Sequence, residues 1–74
     1  MKITYDTQAD ALYIQLQEGK FAENREVLEG VILDLGEGGI LLGIEILEAS
    51  SRFARSDLAR VEVLMPLESG VIPS

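Results

Sequence analysis

The sequence contains no cysteine and no histidine. Without cysteine the chain can form no disulfide, no thiolate nucleophile and no cysteine-based metal site. Without histidine, Ser–His triads and His-based zinc sites are excluded, together with the side chain that most often acts as a general base. Carboxylates are the only groups present in number that could perform acid–base chemistry. We therefore expect no catalytic residue, no cofactor and no resident metal.

Long apolar runs are also missing. No run approaches the ~18 apolar residues that a membrane-spanning helix needs. Residues 1–6 have no apolar segment of signal-peptide length. We therefore expect a cytoplasmic protein that does not enter a membrane.

Basic and aromatic side chains are scarce. Six basic residues stand against thirteen acidic ones, and the net charge of −7 disfavours nucleic acid, whose binding depends on neutralising phosphates. The same acidity favours a basic protein as partner. Aromatic residues make up 5% of a chain that is 47% hydrophobic, which predicts a core of Ile, Leu and Val.

Seventy-four residues predict one domain, which we place at 1–66. Residues 67–74 contain Gly, Ser and Pro and are expected to form a flexible tail. A chain of this length buries only about 60–65% of the surface that its unfolded form exposes. Small domains with surplus aliphatic surface often complete their core by association, so we expect a homodimer.

Two apolar runs of strand length lie on either side of a glycine-rich break at 36–39, which predicts a β-hairpin. A loop with an even number of residues pairs odd positions of the first strand with even positions of the second. Opposed residues share a face, so this register gathers the aliphatic side chains on one side of the sheet. These side chains are Val31, Leu33, Leu35, Ile40, Leu42, Ile44 and Ile46. The glycines supply the positive φ that such turns need.

The predicted fold is α+β, with an antiparallel meander sheet of four strands and one or two short helices on its aliphatic face. The expected bounds are about 2–5, 11–17, 29–35 and 40–47 for the strands and about 50–60 for the helices. Residues 18–29 are polar and predict a connection. Residues 61–65 alternate between apolar and polar positions and could form a fifth strand.

The opposite face of the predicted sheet is mixed rather than polar. Exposed apolar patches of this kind usually mark a binding site for a partner. We identify this face as the surface for a dimer mate or a basic protein. Its candidate residues are Tyr13, Ile32, Asp34, Leu41, Glu45 and Leu47.

An alternative is a divalent-metal or small-ligand site made of carboxylates. Asp6, Asp10, Asp34 and Glu45 lie at strand ends or on the mixed face, and carboxylate oxygens bind Mg²⁺ and Ca²⁺. The simpler interpretation of Asp6 and Asp10 is that they bond nearby backbone N–H groups in turns. The turn at 36–39 lacks the Gly-Lys-Ser/Thr ending of a phosphate-binding loop.

Three arginines, Arg52, Arg55 and Arg60, cluster near the C-terminus. They could contact nucleic acid, but a solvated helix face that pairs with some of the acidic residues is the simpler interpretation. Ser50, Ser51 and Ser56 are candidates for helix caps rather than nucleophiles, because no general base is visible nearby.

Several segments together resemble the YuzE-like family of bacterial and archaeal proteins of unknown function (DUF2283). They are Tyr5-Asp6, Ala9-Asp10-Ala11-Leu12-Tyr13-Ile14, Gly30-Val31-Ile32-Leu33-Asp34 and Gly43-Ile44-Glu45-Ile46-Leu47 followed by Ala49-Ser50. The resemblance covers residues 1 to about 50. Ile40 and Gly36 depart from it, since polar residues are more common there. It implies no activity or cofactor. Some members resemble proteins encoded beside candidate toxins, which implies an antitoxin-like role.

Overall fold

The structure is a computed structural model that describes residues 1–66. The tail predicted for 67–74 lies outside the described residues. Within the described range the chain forms five strands and two short helices. The strands are β1 (Lys2–Asp6), β2 (Ala11–Gln15), β3 (Phe21–Leu28), β4 (Val31–Gly36) and β5 (Leu41–Ile46), and the helices are α1 (Ala49–Arg52) and α2 (Arg55–Leu58). The α+β class is confirmed. No helix in this range is long and apolar enough to span a membrane.

All the strands belong to one antiparallel sheet with the order β1-β2-β5-β4-β3. The four predicted strands are present, but the predicted meander order is wrong. Strand β3 forms the outer neighbour of β4, so β5 occupies the other side of β4. The free edge of β5 then accepts β2, which leaves β1 and β3 at the two edges of the sheet.

Strand β3 lies where the sequence predicts a connection. All of its residues are exposed, so its sequence shows no alternation of apolar and polar positions. Its charged residues and the two register shifts in its pairing with β4 are typical of a protected edge strand. The fifth strand predicted at 61–65 is wrong, because residues 61–66 have no regular secondary structure.

A short crossing segment, residues 16–20, connects β2 to β3 past the ends of β5 and β4. The backbone N–H groups of Leu16 and Gln17 donate to the Leu42 carbonyl oxygen at 2.8 and 3.3 Å. Farther along, the Glu37 N–H donates to the Lys20 carbonyl oxygen at 3.2 Å. Six Cα–Cα steps join Gln15 to Phe21 and reach about 20 Å when extended, more than the ~14 Å of three strand spacings. The segment is therefore long enough to pass both intervening strands.

The central hairpin has the predicted register over most of its length. Val31 pairs with Ile46 and Leu33 with Ile44, so odd positions face even ones. A register shift after Asp34 then places Leu35 opposite Leu41. The connection contains a 3-10 turn, Glu37–Gly39, in which Gly38 and Gly39 have φ values of 78° and 82°. The positive φ expected of these glycines is thus confirmed.

The aliphatic face of the sheet is only partly covered. Among the described residues, the buried hydrophobic side chains are Leu35, Leu42 and Ala49, and no large side chain is fully buried. Helix α2 lies over the β1–β2 side of this face, where it contributes to a largely apolar slot. Its apolar lining is Ile3, Leu12, Ile14, Phe53, Leu58 and Val61, and Asp57 and Arg60 also border it. At the β3 side Phe21 and Ile40 remain about half exposed, at 54% and 43%. The expected helical cover over Ile40 is therefore wrong.

Leu42 and Ile40 offer a matched test of the crossing segment. Leu42 is 6% exposed and Ile40 43% exposed, and both side chains lie where a Cβ atom on Gly19 of that segment would point. We expect Leu42→Ala to lower the free energy of unfolding by about 2–4 kcal/mol, as cavity formation in a core does. Ile40→Ala should cost well under half as much. Urea denaturation measures both, and equal losses would contradict the burial of Leu42 beneath the segment.

Candidate functional site

Four polar side chains, Tyr13, Glu45, Asp34 and Asn24, lie on the mixed face of neighbouring strands and are called here the polar row. Tyr13 of β2 is opposite Glu45 of β5, and Asp34 of β4 is opposite Asn24 of β3. Asp34 is also opposite Gly43, two residues before Glu45 on the same strand. Directly opposed residues and residues two apart share a face of a sheet. The register therefore brings all four side chains to one side.

Asp34 lies at the centre of the polar row and is 9% exposed. Asn24 Nδ2 donates a hydrogen bond of 2.9 Å to Asp34 Oδ1. The ion pairs of residues 1–66 are Lys20–Glu37, Arg25–Glu23 and Arg60–Glu62, so Asp34 has no cationic partner in that range. A buried carboxylate without a cation is costly. Among the described residues, the hydrogen bond from Asn24 therefore takes the place that a cation would have.

Tyr13 reaches diagonally across β5 and covers Gly43. A Cβ atom at Gly43 would collide with the Tyr13 hydroxyl oxygen and lie 2.7 Å from Tyr13 Cζ and 2.9 Å from the Ile14 carbonyl oxygen. Aromatic side chains on neighbouring strands often shield a strand glycine in this way. Because Gly43 is opposite Asp34, the same contact brings the phenol toward the centre of the polar row.

The environment shifts two pKa values in the polar row. Burial raises the pKa of Glu45, and hydrogen bonding to Asp34 and the negative charge of Asp34 raise it further. Burial also raises the pKa of Tyr13, again with contributions from Asp34 and then Glu45. Two carboxyl groups near each other cannot both ionise without repulsion. A cation placed between Glu45 and Asp34 would relieve that repulsion.

Asp10 forms a second polar cluster, at the turn between β1 and β2. Its Oδ1 accepts hydrogen bonds from the Tyr5 hydroxyl at 2.6 Å and the Ser50 N–H at 3.0 Å, and its Oδ2 accepts one from Ser50 Oγ at 2.6 Å. These bonds, first from the Ser50 side chain and then from Tyr5, lower the pKa of Asp10. Asp10 thus holds the start of α1 from 40 residues away in sequence, whereas the sequence predicts a bond to its own turn.

Asp6 behaves as predicted. Its Oδ1 accepts hydrogen bonds from the backbone N–H groups of Gln8 at 2.9 Å and Ala9 at 3.1 Å. Asp6 and Asp10 are therefore engaged in the first turn and the start of α1, while Asp34 and Glu45 lie in the polar row. Residues 1–66 contain no group of three or more acidic side chains that could hold a metal ion.

Of the three C-terminal arginines, Arg52 bonds other parts of the fold. Arg52 Nε donates to the Leu47 carbonyl oxygen at 2.9 Å, and Arg52 Nη2 donates to the Glu29 carbonyl oxygen. This guanidinium therefore joins α1 to the end of β5 and to the β3–β4 turn. Arg60 forms the predicted kind of exposed pair, with Glu62 at 2.6 Å, but it lies past the end of α2 and not on a helix face.

The structure brings together four of the six predicted partner-face residues, Tyr13, Asp34, Glu45 and Ile32. Ile32 is half-buried, directly opposite Glu45. Leu41 lies beyond the register shift, opposite Leu35, and Leu47 lies past the end of β5 with 37% exposure. Sequence reasoning missed Asn24, because nothing in the polar segment 18–29 distinguishes a strand from a connection.

The fold defines the class of this protein as a small α+β domain built on a five-stranded antiparallel sheet. Residues 2–50 match the family described as "Protein of unknown function (DUF2283)", and the chain belongs to that family. The match contains all of the polar row and the Asp10–Ser50 contact.

A Methanosarcina mazei protein named "Putative hypoxanthine phosphoribosyltransferase" is 36% identical to the chain over 63 residues. The match covers 82% of this chain and 50% of that protein, so the chain spans about half the length of this curated relative. No solved structure matches the chain significantly.

The contact between Tyr13 and Gly43 should be sensitive to a single methyl group. We expect Gly43→Ala to lower the free energy of unfolding by about 1–3 kcal/mol, the usual cost of overpacking. In a Tyr13→Ala background the same substitution should cost less, because only the Ile14 carbonyl oxygen remains in the way. Denaturation of the four proteins measures this coupling. Equal costs in both backgrounds would show that Tyr13 does not cover Gly43.

The raised pKa of Glu45 predicts a pH dependence of stability. The folded protein binds this proton more tightly than the unfolded chain does. The resulting stabilisation is complete below the ordinary pKa of glutamate and is lost as pH rises through the raised value. Thermal unfolding between about pH 4 and 8 should show this decline in the wild type and a flatter profile in Glu45→Gln. Glu37→Gln, at an exposed turn position, serves as the control and should retain the wild-type slope.

The lowered pKa of Asp10 predicts the opposite slope in acid. Its stabilisation is present above the ordinary pKa of aspartate and is lost as pH falls through the lowered value. Asp10→Asn should lose this acid dependence, and thermal unfolding at decreasing pH measures it. Asp10 has a φ of 52°, which Asn tolerates and Ala does not. Asp10→Ala should therefore melt below Asp10→Asn at every pH, and the reverse order would contradict the prediction.

Proposed function

We propose that this protein is a non-catalytic interaction module, homodimeric, that binds a basic partner protein on the mixed face of its sheet. The polar row carries the proposal. It places the buried Asp34 beside Glu45, and the described residues supply neither carboxylate with an ion-pair partner. A guanidinium or ammonium group from a partner would satisfy both carboxylates at once and relieve their repulsion.

The surroundings of the polar row support a protein as the partner. Ile32 is half-buried beside Glu45, and Leu47 is exposed just past the end of β5, so apolar contact surface borders the carboxylates. The net charge of −7 would accelerate encounter with a basic surface. An antitoxin that neutralises a basic toxin is one module of this kind, and that role rests on the family resemblance.

A homodimer is supported by the small core of the single chain. Three hydrophobic side chains are buried within residues 1–66, and Phe21, Ile3 and Phe53 are each more than a third exposed. Association would remove such surface from water.

The activity in the name of the Methanosarcina relative is not part of this proposal. The match spans half of that protein. In this chain the glycine-rich turn leads into β5, whereas phosphate groups are typically held where such a loop opens a helix.

A charge-matched pair of variants tests the basic-partner proposal. Glu45→Gln and Glu37→Gln each replace one glutamate by glutamine, but only Glu45 belongs to the polar row. Binding of a fluorescent arginine-rich peptide, a stand-in for the partner's surface, is measured by anisotropy at physiological salt. We expect Glu45→Gln to weaken binding about tenfold, or ~1.4 kcal/mol, and Glu37→Gln to leave it within about twofold. Equal losses would show that only the overall acidity attracts the peptide.

Divalent metals test the alternative. The separation of Asp6 and Asp10 from the polar row leaves two carboxylates there, fewer oxygen ligands than Ca²⁺ takes. We therefore expect Mg²⁺, Ca²⁺ and Mn²⁺ to leave the thermal midpoint unchanged, because a ligand that prefers the native state must raise it. If a divalent metal raises the thermal midpoint and Glu45→Gln abolishes that rise, the polar row binds a metal ion and the basic-partner proposal is overturned.

A further inference from the structure

The two edges of the sheet differ in how open they are to another strand. The β3 edge carries Glu23, Arg25 and Glu26 and has two register shifts against β4, and both features discourage pairing. The β1 edge pairs with β2 without a register shift, contains no proline and is exposed at all five residues. An additional strand would therefore be accepted at β1 and disfavoured at β3.

The sequence of β1, Lys2-Ile3-Thr4-Tyr5-Asp6, is complementary to itself when it runs antiparallel. Alternate residues of an edge strand direct their backbone N–H and C=O groups outward. Two copies of one strand can therefore pair only in registers that match positions of equal parity. The register centred on Thr4 places Lys2 opposite Asp6 of the other copy and Ile3 opposite Tyr5.

Neighbouring registers lose this complementarity. Centring on Ile3 places Lys2 opposite Thr4, and centring on Tyr5 places Asp6 opposite Thr4 and leaves Lys2 unpaired. Opposite charges and aromatic–β-branched pairs across antiparallel strands are stabilising. Of the three registers, the one centred on Thr4 pairs all five residues. By two-fold symmetry it contains two Lys2–Asp6 pairs and two Ile3–Tyr5 pairs.

The Tyr5 hydroxyl is bonded to Asp10, but the groups of β1 that these pairs need are exposed. Ile3 and Tyr5 are 45% and 38% exposed. Asp6 engages Oδ1 in its own turn, and within the described residues its Oδ2 accepts no hydrogen bond. Lys2 forms no ion pair in that range. Each partner group is thus available on the exposed edge.

We propose that a second copy of this chain pairs with β1 in antiparallel fashion about Thr4, so that two sheets join into one continuous sheet. The proposal rests on the homodimer of the proposed function and specifies its interface. The paired β1 strands of the two copies are called here the seam. The two-fold axis passes beside Thr4, as in an isologous interface. Ile3 lines the apolar slot beneath α2, so the slots of the two copies meet across the seam. The polar rows remain open to the basic partner.

Charge exchange at Lys2 and Asp6 tests the seam. Lys2→Glu gives the seam only acidic ends, and Asp6→Lys gives it only basic ends. Each variant alone should dissociate at least about tenfold more readily than the wild type in analytical ultracentrifugation, because like charges then face each other. An equimolar mixture should recover a dimer near wild-type affinity, which a misfolded variant could not do. Arg25→Glu makes the same charge change on the β3 edge and should leave the dimer unaffected.

Cysteine crosslinking supplies a second measurement, since the chain has no cysteine of its own. Thr4→Cys lies on the proposed axis and faces its own copy, so oxidation should link most of the protein into disulfide dimers. Asn24→Cys, on the opposite edge, should link little. A monomer at all concentrations would overturn the homodimer itself. A dimer that tolerates Lys2→Glu and crosslinks through Asn24→Cys would keep the homodimer and overturn the β1 seam.

Discussion

The pairing of β2 with β5 is the contact on which the rest of the structure depends. It joins the first hairpin to the three strands that follow it, and it compels residues 16–20 to cross the end of the sheet. It also places Tyr13 opposite Glu45 and over Gly43. A shift of one residue would turn the Leu12–Ile14 side of β2 toward the mixed face. The close fit of the phenol over Gly43 opposes that shift, so one contact defines both the register and the polar row.

Two carboxylates in this fold have pKa values that shift in opposite directions, because their surroundings differ. Asp10 accepts hydrogen bonds from Tyr5 and from both the side chain and the backbone of Ser50, which stabilise its charge and lower its pKa. Glu45 is partly buried beside Asp34, which raises its pKa. The first carboxylate contributes to the fold by tying α1 to the first turn. The second is left with an electrostatic conflict, and such local conflicts in a folded protein tend to mark functional sites.

The two proposed binding surfaces lie on different parts of the sheet. The mixed face carries the polar row and is proposed to receive a basic partner, while the β1 edge is proposed to receive a second copy. These surfaces adjoin without coinciding, because Thr4 is opposite Tyr13 but belongs to the edge strand. A dimer would therefore present two polar rows on one side of a continuous sheet, a bivalent surface whose avidity can exceed that of either row alone.

The local pattern of the sequence was enough to predict much of this fold. Alternation and turn glycines located β1, β2, β4 and β5, the aliphatic face of the central hairpin and the presence of Tyr13, Asp34 and Glu45 on the other face. These features depend on neighbours along the chain or across one tight turn. The edge strand β3 escaped prediction because an exposed strand has no hydrophobic period, and Asn24 escaped with it. The strand order, the Asp10–Ser50 bond and the Arg52–Glu29 bond depend on residues far apart in sequence. Only tertiary structure decides these, because the free energy that selects them comes from contacts formed after the whole sheet has assembled.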